Sequence, residues 1–240
     1  MGLQKAIEAL FPTQCLTCPT IVAETGALCP SCWADTPFLG GLLCAQCAVP
    51  LLGEAAGGDA LCDTCLAAPR PWAQGRAVFE YAGNGRKIVL ALKYGHRMDI
   101  SRHVAPWLAR QAGPLITDNT IIVPIPLHWQ RLLRRRFNQS ALLAGHLGQA
   151  LHRPVAPDAL IRARKTGSQD GRTAEGRFRN LDGAIAPHRR NGASLDAKDV
   201  LLIDDVMTSG ATFAAAATAA WAAGAARIDV ITLARVVKAV

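Results

Sequence analysis

Two adjacent carboxylates lie between a run of aliphatic residues and a short loop of small polar residues. Asp204 and Asp205 follow the sequence VLLI, and three residues later come Thr208, Ser209, Gly210, Ala211 and Thr212. Hydroxyl groups and consecutive backbone N–H groups at the start of a helix can bind a phosphate. Carboxylates repel phosphate, so the two aspartates are better suited to sugar hydroxyls or to Mg²⁺. This order of residues predicts a site for a ribose 5-phosphate.

Helix capping is the simplest alternative explanation of the same stretch. Asp205 or Thr208 alone could cap the helix that follows, since Asp and Thr are common in that role. Capping does not require two acids, two hydroxyl residues and a glycine in this order. A triphosphate-binding loop of the Walker type is excluded, because the chain contains no G-x-x-x-x-G-K-[ST] sequence. A phosphoribosyl site therefore remains the favoured interpretation.

All eight cysteines lie in the first 65 residues, as four C-x-x-C pairs. Each pair supplies half of a tetrahedral zinc site, so the pattern predicts two structural Cys₄ sites built from Cys15, Cys18, Cys29, Cys32, Cys44, Cys47, Cys62 and Cys65. Pairing the first with the second and the third with the fourth gives two small ribbons, while a cross-braced arrangement uses the same residues. Disulfides are disfavoured without a secretory signal, and a thioredoxin-like redox motif needs only one C-x-x-C pair. Without zinc, so short a segment is expected to unfold.

The charge of the chain is unevenly distributed. Residues 1–75 contain two basic and six acidic residues, whereas the rest of the chain carries a net charge of +12, which gives the overall +8. A basic region behind an acidic module predicts an anionic partner, although a basic composition that serves solubility alone is an equally good explanation. No apolar run reaches the roughly 18 residues of a membrane span. The N-terminus lacks the features of a secretory signal, so we expect a cytoplasmic protein.

An alternation of strands and helices, beginning near Arg76, must position these residues. Strand patterns occupy residues 76–83, 120–127, 199–206 and 227–237, and helical patterns occupy residues 86–113, 138–152 and 210–226. This alternation predicts an α/β domain with a mainly parallel sheet, in which ligands bind beyond the C-terminal strand ends. We place a double zinc-ribbon module at residues 1–70 and the α/β domain at residues 71–240. Residues 66–76, which contain two prolines, read as the linker between them.

Residues 200–212 resemble the phosphoribosyl-pyrophosphate signature of type I phosphoribosyltransferases, which has four hydrophobic residues, two acids and then T-[ST]-G-x-T. The four C-x-x-C pairs, the sequence VPIPLHWQRLLRRRFNQ and the sequence RKTGSQDGRTAEGRFRNLDGAI together resemble the ComF family. This resemblance covers nearly the whole chain. It implies an α/β fold with a type I phosphoribosyltransferase-like parallel sheet and flanking helices, preceded by a small Cys-rich double zinc-ribbon module.

The resemblance also implies roles for particular residues. Asp204 and Asp205 would contact the ribose hydroxyls of phosphoribosyl pyrophosphate, the loop behind them would bind its 5-phosphate, and Mg²⁺ would accompany the ligand. An earlier loop would hold the pyrophosphate, and the matching residues here are Pro126, Leu127 and Arg131. Lys93 is a further phosphate candidate, although a lone helical lysine is more often a surface charge. A mobile loop of the family corresponds to residues 164–180.

In functional terms, the ComF resemblance implies a protein that handles single-stranded DNA during natural transformation, with competence proteins such as the ComF helicase as partners. Trp129, Phe137 and Phe178 would be available for base stacking, although the two phenylalanines are equally well explained as core residues. The candidates for contact with DNA phosphates are Arg134, Arg135, Arg136, Arg172, Arg177 and Arg179. The alternative is an active phosphoribosyltransferase that acts on an unidentified base or amine. No residue stands out as its general base.

Overall fold

A four-stranded parallel sheet forms the centre of the computed structural model, which describes residues 12–53, 59–94, 97–127, 133, 137–164 and 183–237. The strands are β1 (Gly75–Glu80), β2 (Thr120–Pro124), β5 (Asp199–Met207) and β6 (Arg227–Arg235). Their order across the sheet is β1-β6-β5-β2. The long aliphatic runs of β2, β5 and β6 suit strands that are covered on both faces. Two shorter strands, β3 (Leu160–Arg162) and β4 (Ile185–Pro187), form a separate antiparallel pair that the sequence patterns do not predict.

The helices of the described residues cover both faces of this sheet. Two short helices, α1 (Pro30–Ala34) and α2 (Asp63–Ala67), belong to the Cys-rich region. The longer helices are α3 (Gly83–Tyr94), α4 (Ile100–Ala112), α5 (Gln139–Leu151) and α6 (Ala211–Ala222). On one face α3, α4 and α5 pack through aliphatic residues, and on the other face α6 packs through alanines and Phe213. None of these helices is both long enough and apolar enough to cross a membrane.

The Cys-rich region packs against the α/β domain at several places. Residues that follow the first ribbon cover the free edge of β1, where the Leu39 amide donates to the Val78 carbonyl at 2.9 Å. Covering an edge strand occupies backbone groups that would otherwise be free to pair with another chain. Cysteines of the second ribbon instead join the apolar core beside α6, together with Trp72. The predicted α/β fold, a mainly parallel sheet with flanking helices behind a Cys-rich double zinc-ribbon module, is confirmed.

Several element boundaries differ from the sequence prediction. β5 continues past the predicted strand at residues 199–206 to Met207, which still pairs with Arg235 of the equally long β6. The predicted helix at residues 86–113 is two helices, and α3 begins at Gly83, where the buried Asn84 side chain donates to the Cys32 carbonyl at 3.1 Å.

The segment between the two predicted domains, residues 66–76, is also more closely packed than its prolines indicate. Trp72 in this segment is 3% exposed, and its Nε1–H donates to the Gln46 carbonyl at 2.7 Å. The indole ring also lies against Phe213 of α6, with ring centroids 6.2 Å apart. The segment therefore contributes to the core, while the boundary near residue 70 stays a prediction.

Gly75 lies where β1 approaches the backbone of the second ribbon. A Cβ atom added there would collide with the Gln46 carbonyl oxygen, which is part of the backbone and has little freedom to move. We expect Gly75→Ala to lower the free energy of unfolding by about 2 kcal/mol, as overpacking does, in urea denaturation. Gly145→Ala in α5 is the matched control, because its Cβ would meet no atom within 4 Å and alanine favours helices. Equal effects of the two substitutions would contradict this packing.

Candidate functional site

The two adjacent aspartates are held by side chains from two other elements. Ser140 Oγ, at the start of α5, donates to Asp204 Oδ1 at 2.7 Å, and the Asp205 backbone N–H donates to the same oxygen at 2.9 Å. Asp205 Oδ1 forms an ion pair at 2.9 Å with the Nζ of Lys93, in the last turn of α3. The site therefore collects residues from three elements, of which only β5 carries the predicted signature.

Burial and neighbouring charges together determine the protonation states of Lys93 and Asp204. Asp205 is 7% exposed, and the side chain of Lys93 is 19% exposed. Burial lowers the pKa of Lys93, but the Asp205 carboxylate outweighs this effect and raises the pKa above its usual value. Burial, and then the charge of Asp205, raise the pKa of Asp204 to about 7. At neutral pH the site thus holds a charged Lys93 and a partly protonated Asp204. Lys93 is therefore not the surface charge that is expected of a lone helical lysine.

The raised pKa of Asp204 predicts a pH-dependent effect of its replacement. An aspartate has a pKa of about 3.9 in the unfolded chain. With a folded-state pKa of about 7, this group lowers the free energy of unfolding progressively as pH rises between those two values. Asp204→Asn keeps the acceptor oxygen but removes the charge. We therefore expect its melting temperature to exceed that of the wild type by about 10 °C at about pH 8 and to match it at about pH 4.

Differential scanning calorimetry across this pH range checks the expectation. Asp118→Asn is the control, because the Asp118 side chain is fully exposed and pairs only with Arg153 among the described residues. The difference in melting temperature between this control and the wild type should be about the same at the two pH values. A stabilisation by Asp204→Asn that did not depend on pH would contradict burial of a titrating carboxyl as its cause.

The eight cysteines form two clusters and no disulfide, and all eight are among the described residues. In each cluster the four sulfur atoms lie within 4.8 Å of one another, the sets being Cys15, Cys18, Cys29 and Cys32, and Cys44, Cys47, Cys62 and Cys65. Zn–S bonds of about 2.3 Å in a tetrahedron place sulfur ligands about 3.8 Å apart. The Sγ atoms of Cys18 and Cys29 are 3.7 Å apart, and those of Cys47 and Cys62 are 3.6 Å apart. Two Cys₄ zinc sites with sequential pairing are therefore confirmed.

Backbone groups around the first cluster favour the thiolate form that binds zinc. Burial raises the pKa of the Cys15 thiol, but hydrogen bonds from backbone N–H groups outweigh burial and lower it to about 6. One of these donors is the Cys29 amide, whose nitrogen lies 3.3 Å from Cys15 Sγ. Thiolate, rather than thiol, is the form of cysteine that ligates metals. Each site has four cysteine ligands, which is typical of structural rather than catalytic zinc.

The loop after β5 presents backbone groups at the start of α6. Gly210 precedes this helix with a φ of 82°, in the left-handed region that glycine adopts without strain. Ser209 Oγ accepts a hydrogen bond from the Ala211 amide at 3.4 Å, Thr208 is exposed and Thr212 is half-buried. Free N–H groups at a helix N-terminus bind anions. This loop has the chemistry of the phosphate site that the sequence predicts, and its role stays a prediction.

Arg70 connects this loop to the second zinc cluster. Its Nη1 donates to the Ser209 carbonyl at 2.9 Å, and its Nε donates to Cys65 Sγ at 3.4 Å. The guanidinium carbon also lies 5.7 Å from the centre of the Trp72 ring. A Cβ atom added at Gly210 would lie 3.1 Å from the same indole. A zinc ligand, an arginine and a buried indole thus lie directly behind the phosphate loop.

Arg235, the last residue of β6, makes a second connection of the same kind. Its Nε donates to the Cys47 carbonyl at 2.7 Å, and its Nη1 donates to the Thr208 carbonyl at 2.6 Å and to the Met207 carbonyl at 3.2 Å. Arg235 is 7% exposed, and its Nη1 also donates to the Val236 carbonyl at 2.6 Å. The sequence does not reveal either arginine, because their partners are remote in the chain.

The loop predicted to hold pyrophosphate begins beside the aspartates. The Ile125 amide donates to the Ile203 carbonyl at 2.9 Å, so the chain beyond β2 continues alongside β5. Pro126 is buried and Leu127 is half-buried at this edge. Asn138 donates to the Ile125 carbonyl at 3.1 Å and caps α5. Pro126 and Leu127 therefore follow a residue that pairs directly beside Asp204, and their contact with pyrophosphate stays a prediction.

Other predicted residues lie outside the described part of the chain. They are Arg131 of the pyrophosphate loop, Trp129 and Phe178, most of the predicted mobile loop, and the DNA candidates Arg134, Arg135, Arg136, Arg172, Arg177 and Arg179. Phe137 is described and is half-buried. Ser140 is a site residue that the sequence prediction missed, although a hydroxyl residue at the start of a helix that follows a strand was a readable signal.

Comparison with known proteins gives matches in both parts of the chain. Residues 6–66 match the family described as Double zinc ribbon domain. The chain is 32% identical over 200 residues to the DNA utilization protein YhgH of Escherichia coli, covering 80% of this chain and 84% of that protein. It is 28% identical over 165 residues to Competence protein F of Haemophilus influenzae, covering 63% of this chain and 68% of that protein.

Among solved structures, a hypoxanthine phosphoribosyltransferase from Staphylococcus aureus resembles this chain with a TM-score of 0.38 and 14% sequence identity. The match covers 57% of this chain and 64% of that one, so less than two thirds of the solved structure is spanned. So distant a likeness carries no information about ligands. The geometry around Asp204, Asp205 and Gly210 must carry the functional argument instead.

Proposed function

This chain belongs to the ComF family, and from that premise we propose that it binds phosphoribosyl pyrophosphate and handles single-stranded DNA during DNA uptake. The names of two relatives refer to DNA utilization and to competence, which supports the DNA part. The side chains gathered at the end of β5 support the ligand part. The two parts are compatible, because a bound phosphoribosyl ligand can regulate contact with DNA.

The observation that carries the ligand proposal is the position of two carboxylates directly in front of a glycine-containing loop. A ribose 5-phosphate has hydroxyl groups at one end and a phosphate at the other. Asp204 and Asp205 offer acceptors for the hydroxyls, while the N-terminus of α6 offers N–H donors for the phosphate. Ser140 and Lys93 fix the orientation of the carboxylates before the ligand arrives. Carboxylate oxygens also suit Mg²⁺, which would supply positive charge for the pyrophosphate group.

Binding of this ligand predicts a rise in melting temperature. A ligand at about 100 times its Kd adds about 2.7 kcal/mol to the free energy of unfolding, which corresponds to about 5 to 10 °C for a protein of this size. We expect that shift with phosphoribosyl pyrophosphate and Mg²⁺, and smaller shifts with ribose 5-phosphate or pyrophosphate alone. A thermal-shift assay on the zinc-loaded protein measures all three ligands. Identical curves with and without every ligand would contradict the proposal.

The DNA part of the proposal rests on charge. The residues after 75 carry a net charge of +12, and contacts with phosphates account for most binding of single strands without sequence preference. The arginines proposed for these contacts are Arg134, Arg135, Arg136, Arg172, Arg177 and Arg179. Affinity for an oligonucleotide should fall steeply as salt rises. Absence of binding at the lowest salt concentration would remove this part of the proposal.

Transfer of the phosphoribosyl group is a second candidate function, favoured by the complete signature from Val200 to Thr212. In that reaction the C1–O bond to pyrophosphate breaks, a bond from C1 to an acceptor nitrogen forms, and the acceptor loses a proton to solvent. Asp204 and Asp205 would hold the ribose while positive charge develops at C1. Pyrophosphate release in the presence of a library of bases and amines tests this function. Release that persists in Asp204→Asn/Asp205→Asn would exclude this site as its source.

A further inference from the structure

The first ribbon and α4 enclose a groove of roughly 600 Å³ that the proposed phosphoribosyl site does not use. Its walls are residues 24–28 and Trp33 from the ribbon side and, from α4, Arg102, His103, Pro106 and Trp107. A second cavity of roughly 240 Å³ shares His103 with the groove and extends it along the ribbon. The packing between the walls is close, because a Cβ atom added at Gly26 would collide with the His103 ring. The groove is therefore a built feature of the ribbon and helix interface.

Three aromatic rings are clustered at this groove. Trp33 is 53% exposed despite its large apolar side chain, and its ring centre lies 4.6 Å from Phe38 and 6.1 Å from Trp107. Trp33 directly follows the zinc ligand Cys32, whose carbonyl accepts a hydrogen bond from Asn84 Nδ2 at 3.1 Å. The zinc site and the neighbouring rings thus hold an exposed indole in one orientation. Such an indole offers a free face on which a nucleic-acid base can stack.

Helix α4 carries two exposed arginines, Arg102 in the wall of the groove and Arg110 beyond it along the helix. Neither forms an ion pair with any residue that the structure describes. They lie on the same face of α4, about 12 Å apart along the helix axis, with the exposed Pro106 between them. His103 adds no charge at neutral pH, because burial lowers its pKa. The acidic residues among the described lining residues are Glu24 in the groove and Asp99 in the second cavity, and Asp99 pairs with Arg97. With Arg110, the described residues at this surface therefore keep a small excess of positive charge.

We propose that this groove binds single-stranded nucleic acid, with a base stacked on Trp33 and backbone phosphates at Arg102 and Arg110. The proposal rests on the proposed DNA-handling function and gives it a surface among the residues that the structure describes. An exposed indole in the same groove as Arg102, with Arg110 further along the helix, matches a base and its phosphates. An apolar peptide would leave both arginines without partners. The first zinc ribbon then has a role beyond its own folding, since it presents the stacking residue.

Fluorescence anisotropy with a labelled twelve-residue oligothymidylate and the zinc-loaded full chain tests the groove. Over about 50 to 200 mM salt, Trp33→Ala should weaken binding about tenfold without changing the salt dependence, because base stacking is largely uncharged. Arg102→Gln should instead reduce the slope of log affinity against log salt by about 0.7, the value for one lost phosphate contact on a single strand. Trp33→Phe should retain part of the affinity.

Trp221→Ala is the matched control, because Trp221 is 44% exposed and lies in α6, outside the groove. It should bind the oligonucleotide as the wild type does, and all variants should keep the thermal shift with phosphoribosyl pyrophosphate. Wild-type affinity in both Trp33→Ala and Arg102→Gln would contradict nucleic-acid binding in the groove and would leave the DNA-handling function intact. A wild-type protein that binds no oligonucleotide at low salt would overturn both. An equal loss of oligonucleotide affinity in Trp221→Ala and Trp33→Ala would also contradict nucleic-acid binding in the groove.

Discussion

Replacing Cys65 by serine is expected to remove one of the two zinc ions and to weaken phosphoribosyl pyrophosphate binding by about a hundredfold. Cys65 accepts a hydrogen bond from Arg70, which in turn donates to the Ser209 carbonyl in the phosphate loop. Without Cys65 as a zinc ligand, Arg70 loses one of its hydrogen-bond partners. The loop that Arg70 contacts through the Ser209 carbonyl then becomes free to move. A displacement of about 1 Å in a binding group is enough for a loss of this size. Metal analysis and calorimetric titration of the same sample measure both effects.

The first ribbon supplies the matched control for this experiment. Cys18→Ser should also remove one zinc ion, but its cluster has no described contact with the phosphate loop, so ligand binding should persist. Arg70→Ala keeps all eight cysteines and should still weaken binding by about tenfold, within the usual range for outer-shell substitutions. This variant separates the effect of Arg70 from unfolding of the ribbon. Equal affinities in Cys65→Ser, Cys18→Ser and the wild type would contradict the connection.

Asp205→Ala is expected to lower the free energy of unfolding by about 3 kcal/mol, because it leaves the charge of Lys93 buried without a partner. The two side chains are 9% and 19% exposed and their charged atoms are 2.9 Å apart. Lys93→Met should have a similar cost, since it leaves two neighbouring carboxyl groups without a cation. Urea denaturation at neutral pH measures both variants.

A double-mutant cycle distinguishes this ion pair from general disruption of the site. Lys93→Met/Asp205→Leu removes both charges and replaces them with apolar groups, so it should recover most of the stability that either single change loses. Arg97→Met/Asp99→Leu provides a comparison, because that pair is 2.7 Å apart but nearly half exposed. Each single change at the exposed pair should lower the free energy of unfolding by less than about 1 kcal/mol. Additive losses at Lys93 and Asp205 would show that their charges do not interact.

The parts of the fold that sequence predicted are those encoded by local patterns. The C-x-x-C spacing predicted the zinc clusters, and the alternation of aliphatic strands with helices predicted the parallel sheet. The strands β3 and β4 were missed because each has only three residues, which is too short for a periodic signal. The proline-containing residues 66–76 read as a linker, and only tertiary packing buries Trp72 within them.

The candidate site also has one part that a local sequence pattern encodes and another part that depends on remote residues. Asp204, Asp205 and the loop to Thr212 form one continuous stretch, so the sequence was sufficient to identify them. The residues that support this stretch come from remote parts of the chain, with Ser140 separated from Asp204 by 64 positions and Arg70 from Ser209 by 139. A single sequence contains no information on such pairs. Lys93 was noted as a candidate, but its burial and its partner Asp205 depend on the packing of α3 against the sheet.

The most direct test of the proposed phosphoribosyl site is a calorimetric titration of the zinc-loaded protein with phosphoribosyl pyrophosphate in the presence of Mg²⁺. We expect saturable binding at one site per chain, and a loss of affinity of at least about a hundredfold in Asp204→Asn/Asp205→Asn, since each lost charged hydrogen bond costs about 1.5 to 3 kcal/mol. The variant should remain folded, because asparagine keeps the acceptor oxygens. No binding by the wild type, or equal binding by wild type and variant, would show that the two aspartates do not form a phosphoribosyl site.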